Sequence, residues 1–134
     1  MIGDWVLTLD ATHKEKVFAQ VDAIEEGKRS ILVTRECSNW FVDIDWIEPI
    51  PLTTEILEKN GFVIKKKWAQ KGNFGNNPLI MWHYDDDITT RDFKHELEIH
   101  QNDTGKVHVS VQCDYVHELQ HAMKLCGIKV EIEI

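Results

Sequence analysis

From residue 3 to residue 48, short apolar runs alternate with turn-prone residues. "GDWVLTL", "KVFAQVDAI", "RSILVTRE" and "WFVDIDWI" are rich in Val, Ile, Trp and Phe, the composition of short strands. In the last run Trp40, Val42, Ile44 and Trp46 alternate with Phe41, Asp43, Asp45 and Ile47. A period of two turns one strand face inward and leaves the other mostly wet. "EEGK" (Glu25 to Lys28) reads as a hairpin turn. Strands packed this densely predict a small SH3-like β-barrel or a strongly bent sheet, and a barrel would hide the edges that invite aggregation.

The texture changes at "EPIPLTTEILEKNGF". Pro49 and Pro51 lack the N–H a ladder needs and disfavour helix before them, so they predict an extended connector. Thr53 or Thr54 caps a short helix ending near Asn60, with Gly61 as the left-handed stop. This divides the chain into a strand-rich module, 1–48, and an α+β domain, 49–134. The second part reads strand, loop, three strands, helix, strand. "VIKKKWA" and "PLIMWHY" flank the loop "QKGNFGNNP". "FKHELEIH" alternates Phe93, His95, Leu97 and Ile99 with Lys94, Glu96, Glu98 and His100, and "KVHVSVQ" follows across a "QNDTGK" turn. Asp114 caps a helix over Tyr115–Cys126 that Gly127 ends, and "IKVEIEI" forms a last strand. The fold class is therefore α+β: a bent sheet or small barrel, then an antiparallel sheet with two short helices that must cover its apolar face.

Composition narrows the function classes. Over 134 residues the formal net charge is −8, which argues against a nucleic-acid-coating role, because that needs a positive surface to displace counterions. A nucleic-acid-associated use of the SH3-like module is the weaker alternative for the same reason. The three cysteines (Cys37, Cys113, Cys126) form no CxxC pair and read as reduced thiols in a cytoplasm-like compartment. No stretch approaches the length of a membrane span and the N-terminus lacks a secretion signal, so the expected location is cytoplasmic. No cofactor is implied, and a homo-oligomer stays open.

The sharpest chemical lead is His117-Glu118-Leu119-Gln120-His121. H-E-x-x-H on a helix can hold zinc between its histidines while the glutamate activates water. At roughly 100° per residue, Tyr115, Val116, Leu119, Ala122, Met123 and Cys126 share one side of the helix, and His117, His121 and Lys124 fall nearly opposite. The imidazoles thus share a face directed away from the core. A catalytic zinc also needs a third ligand, ordinarily downstream, and the acidic residues that follow, Glu131 and Glu133, sit on a short strand; His83, His95, His100 or an aspartate of "YDDDI" would be unorthodox substitutes. We therefore read no metal site and no catalytic residue, with His117 and His121 in a zinc hydrolase as the alternative.

Two segments, "WIEPIPLTTEILEKNGF" (Trp46–Phe62) and "YVHELQHAMKLCGIKVEI" (Tyr115–Ile132), carry a resemblance. The chain resembles a group of small uncharacterised proteins of phages and prophages of gut Bacteroidetes, which open "IGNxV", continue "IPIPLTxExLxKxGF" and close "YVHxLQNLYFALTGxEL". Ile2, Gly3, Asp4, Trp5 and Val6 match the opening, and Pro49, Pro51, Leu52, Thr53, Glu55, Leu57, Lys59, Gly61 and Phe62 the middle. His121 stands where the group has asparagine, which treats the second histidine of the pair as a local variation. The resemblance implies a bacterial host cell as the setting, and a host protein or a phosphorylated defence signal as partner.

The remaining candidate is "KKKWAQKGNFGNNP" (Lys65–Pro78). Lys65, Lys67 and Lys71, interleaved with Trp68, Asn73 and Phe74, combine cations, aromatic faces and turn-forming residues, which suits a phosphate-bearing ligand with a base to stack. The competing reading is a solvated hairpin. "YDDDITTRD" lacks the spacing of a calcium loop and reads as an acidic surface turn. The expected function is a small non-enzymatic phage-type binding protein, a host-defence inhibitor that binds a host protein or sequesters a phosphorylated nucleotide signal.

Overall fold

The computed structural model describes residues 2–25, 27–72, 78–84, 94–100, 107–129 and 131–134. The chain divides into two compact units, Met1–Pro51 and Leu52–Ile134. Both sheets are antiparallel, and with two helices they make the α+β class.

The first unit is one five-stranded sheet in the order β4-β3-β2-β1-β5. Its strands are β1 (Trp5–Leu9), β2 (Lys16–Ile24), β3 (Ser30–Arg35), β4 (Ser38–Asp43) and β5 (Glu48–Pro49). The sheet is open, with β4 and β5 as its edges, so the bent-sheet expectation describes it and the closed barrel does not. A register shift between Val21 and Ala23 marks a bulge in β2, the device that bends a strand. Val6, Ala19, Val21, Ile31, Val33 and Val42 form the core, with Trp40 and Ile47 against it. Pro49 sits in an edge strand opposite Val6, where its missing N–H breaks no ladder.

The fourth strand is shorter than its alternation predicts. It stops at Asp43, whose carboxylate accepts from the Asp45 amide at 2.9 Å and caps a 3-10 turn over Ile44–Trp46. An aspartate side chain that bonds the backbone two residues on offers it an alternative to the ladder. Ile44 and Trp46 are consequently exposed instead of core-facing.

The second unit opens with α1 (Thr54–Lys59), capped by the Thr53 hydroxyl and followed by Gly61 at φ 85°. Its sheet runs β10-β9-β8-β7-β6. The strands are β6 (Val63–Ile64), β7 (Trp68–Lys71), β8 (Leu79–His83), β9 (Glu96–His100) and β10 (Val107–Gln112). Ala69, Trp82 and Leu97 lie in register on one face, as do Ile80 and Ile99, all nearly inaccessible. α2 (Val116–Leu125) buries Val116, Leu119, Ala122 and Met123. The indole of Trp82 donates to the Cys113 carbonyl at 2.8 Å, so its one polar atom is satisfied inside.

Three expectations for this unit change. "VIKKKWA" is a hairpin and not one strand: Val63 pairs with Gln70 and Ile64 with Ala69, leaving Lys65, Lys66 and Lys67 in the turn. Three adjacent like charges cost less in a turn, where all can reach water, than on a strand with a buried face. The helix cap is Tyr115, not Asp114, because Glu118 Oε1 accepts from both the Asp114 and Tyr115 amides while Asp114 turns to His95 at 2.9 Å. The C-terminal segment forms no strand among the described residues. The Asn60 amide grips Glu133 instead, donating to its carbonyl and accepting from its N–H, both at 2.7 Å. One side chain thereby supplies the two bonds a neighbouring strand would have made.

Candidate functional site

The lysine turn is built by its neighbours. The Lys65 amide donates to the Trp68 carbonyl at 2.8 Å, closing the β6–β7 hairpin. Tyr84, just past β8, then holds the turn twice: its amide donates to the Lys67 carbonyl at 3.2 Å and its hydroxyl to the Lys65 carbonyl. The lysine side chains are exposed while their backbone is fixed. Trp68 is half-buried and spends its indole N–H on Gln70 Oε1 at 3.2 Å.

Lys71 differs from the others. Its ammonium donates to the Asn60 carbonyl at 2.9 Å and lies 5.9 Å from the Phe62 ring centroid, so it also fastens the end of α1. Lys65 and Lys71 nevertheless border one hollow of about 200 Å3, lined by Gly61, Val63, Lys65, Gln70, Lys71 and Gly72. Gly72 has φ 87°, and a Cβ there would stand 2.1 Å from the Pro78 carbonyl oxygen. Only glycine fits this exit from β7. Of the six residues expected to bind ligand, the structure gathers Lys65 and Lys71 at the hollow, puts Lys67 in the turn and Trp68 at the start of β7. Asn73 and Phe74 lie outside the described residues, as do the aspartates of "YDDDITTRD" and the "QNDTGK" turn.

The H-E-x-x-H helix is arranged as a cap and a solvent face. Glu118 Oε1 is committed to two backbone amides, at 3.0 and 3.1 Å, which holds the carboxylate at the start of the helix. His117 stacks on Tyr115 at 5.8 Å and meets His121 edge-on at 5.7 Å between ring centroids. His121 and Lys124 are exposed and His117 is half-buried. Among the described residues, no group of three or more His, Cys, Asp or Glu is placed to hold a metal ion. Glu118→Ala should therefore cost about 1 kcal/mol through the lost cap, whereas His121→Asn should change stability by less than about 0.5 kcal/mol. Urea unfolding of the two variants checks this, and a larger loss in His121→Asn would show that the imidazole carries structural load.

The thiols offer no nucleophile in this part of the unit. Burial, reinforced by the charges of Glu118 and Asp114, pushes Cys113 far above the ordinary thiol range, and burial also raises Cys126. Both are held as thiols, the unreactive form.

A second cluster escaped sequence reading. On the sheet face opposite Trp82 and Leu97, the Glu98 carboxylate lies between two imidazoles. Its Oε2 is 3.4 Å from His100 Nε2 and 3.6 Å from His83 Nε2. Glu96 is beside it, accepting from the Ser110 hydroxyl at 2.6 Å. His100 and Glu96 are only 9% and 6% exposed, although alternation predicts a wet face here. His83 and Glu98 are partly accessible, and the His83 Nε2 atom itself is buried with no hydrogen-bond partner among the described residues. Only strand register makes the cluster: His83 opposes Glu96, Met81 opposes Glu98 and Leu79 opposes His100. The sequence signal available was a pair of acids and a histidine alternating along one strand.

No helix of the described residues is long and apolar enough to cross a membrane. The chain matches no family model, no curated protein and no solved structure, so its own geometry carries the functional argument.

Proposed function

We propose that this chain is a non-catalytic binding protein whose second unit takes a small phosphorylated ligand at the Lys65–Lys71 hollow. The observation that carries the reading is the convergence of two lysines on one concavity bordered by glycine backbone. Ammonium groups there form charge-assisted bonds to phosphate oxygens, and glycine lets the anion approach the main chain closely. The Tyr84 clamp supports it too, because a turn fixed before binding loses little entropy on binding. A hollow of about 200 Å3 suits a phosphate group with part of its substituent better than it suits a protein surface. The net charge of −8 keeps such a site selective: long nucleic acids are repelled while a small anion reaches the local cations. In the bacterial host cell implied by the resemblance to phage proteins, the chain sequesters a phosphorylated signal used in defence.

Thermal shift against ribose 5-phosphate, nucleoside monophosphates and inorganic phosphate tests this reading. Millimolar ligand should raise the melting temperature. The double variant Lys65→Ala/Lys71→Ala should lose most of the shift, since each phosphate contact from a charged group is worth about 1.5–3 kcal/mol. A flat response across the panel, or an unchanged shift in the double variant, rules the hollow out.

A further inference from the structure

The hollow lies at one end of a row that crosses the whole second sheet. Val63 pairs with Gln70, Gln70 with Met81, Met81 with Glu98 and Glu98 with Ser110, so each strand contributes one residue to the same face. Val63 and Gln70 line the hollow with Lys65, and Glu98 is the carboxylate between His83 and His100. Strands are about 4.8 Å apart, which places Glu98 about 10 Å from Gln70. A cation-lined hollow and an anionic acceptor thus face the same side of one rigid sheet. That separation is comparable to a nucleoside monophosphate, measured from its phosphate to the far edge of its base.

Resting on the reading of the hollow as a phosphate site, we infer that the row binds a guanine nucleotide, phosphate toward Lys65 and base edge on Glu98. A carboxylate is an acceptor only. Both imidazole contacts fall on Glu98 Oε2, so Oε1 is the oxygen that neither ring engages. The base that suits such a group presents two adjacent N–H donors, as guanine does with its ring N1–H and 2-amino group. Adenine offers its amino group beside a ring acceptor, and uracil flanks its single N–H with two carbonyls, so each sets a lone pair against the carboxylate. His100, 3.4 Å from Oε2, holds the carboxyl group from its other side, and the His83 ring 3.6 Å away packs against it without bonding. Met81, half-buried between the two ends, gives the sugar and base a polarizable apolar contact. Because Glu98 is partly sheltered, a base that leaves it unpaired is penalised as well as unrewarded.

Calorimetric titration of the whole chain with ribose 5-phosphate, GMP, IMP and AMP tests the inference. GMP should bind at least tenfold tighter than AMP. IMP, which lacks only the 2-amino group, should bind about tenfold more weakly than GMP, the worth of one hydrogen bond to a charged acceptor. Glu98→Gln should remove the preference for GMP and leave ribose 5-phosphate binding unchanged, whereas Lys65→Ala should weaken every ligand. Equal affinities for GMP and AMP overturn the inference, and so does a preference that survives in Glu98→Gln, while the phosphate site stands. The IMP comparison uses the unaltered chain and decides the matter even if Glu98→Gln does not fold. Binding of none of the four overturns the phosphate site itself, and the base site with it.

Discussion

Gly72→Ala is expected to destabilise the second unit by roughly 3 kcal/mol, with loss of ligand response at the hollow. Two costs combine. Alanine at φ 87° takes on left-handed strain of about 1–2 kcal/mol. Its Cβ would also stand 2.1 Å from the Pro78 carbonyl oxygen and 3.1 Å from the carbonyl carbon, and both atoms are backbone. No side chain can swing aside, so the β7–β8 connection itself must shift. Gly27→Ala separates the two effects. Gly27 has nearly the same φ, 77°, with nothing within 4 Å of the added atom, so its substitution should cost about 1 kcal/mol. Denaturant unfolding of both variants, read by far-UV circular dichroism, checks the difference. Equal costs would show that the close approach to Pro78 is relieved at no expense.

Leu119→Ala should cost about 2–5 kcal/mol, against almost nothing for His121→Asn two residues further on. Leu119 is fully inaccessible and belongs to the stripe of Val116, Ala122 and Met123, whereas His121 is exposed. Truncating a leucine in such a stripe loses its transfer free energy and leaves a cavity that neighbours fill only partly. The comparison also tests what the H-E-x-x-H letters do here. A helix built to present a metal would be sensitive on its histidine face; this one should be sensitive on the opposite face, that of Leu119. Urea midpoints at unchanged slope are the measure, and a Leu119→Ala cost below about 1 kcal/mol would show that the stripe is not a packed core.

The sequence alone determined the α+β class, the first four strands of the first sheet apart from the end of β4, a threonine cap and the Gly61 stop of α1, and the core-facing stripe of α2. These rest on signals spanning a few residues: period-two alternation, a hydroxyl before a helix, a glycine after it, and a helical stripe of Val116, Leu119, Ala122 and Met123. Local rules erred where a second local option competed. Asp43 could continue a strand or cap a turn, and it caps. Lys65 to Lys67 could ride a strand or a hairpin, and they ride the hairpin.

Only the tertiary structure decided the rest, because the groups involved are far apart along the chain. Tyr84 reaches back to Lys65 and Lys67, and Asn60 substitutes for a strand beside Glu133. His83 meets Glu98 through register across β8 and β9, a pairing set by how the apolar face of Ile80, Trp82, Leu97 and Ile99 packs. Shifting that register by one residue would send every polar side chain to the opposite face. Alternation says which residues share a face of one strand, and burial of the apolar face chooses their neighbours on the next.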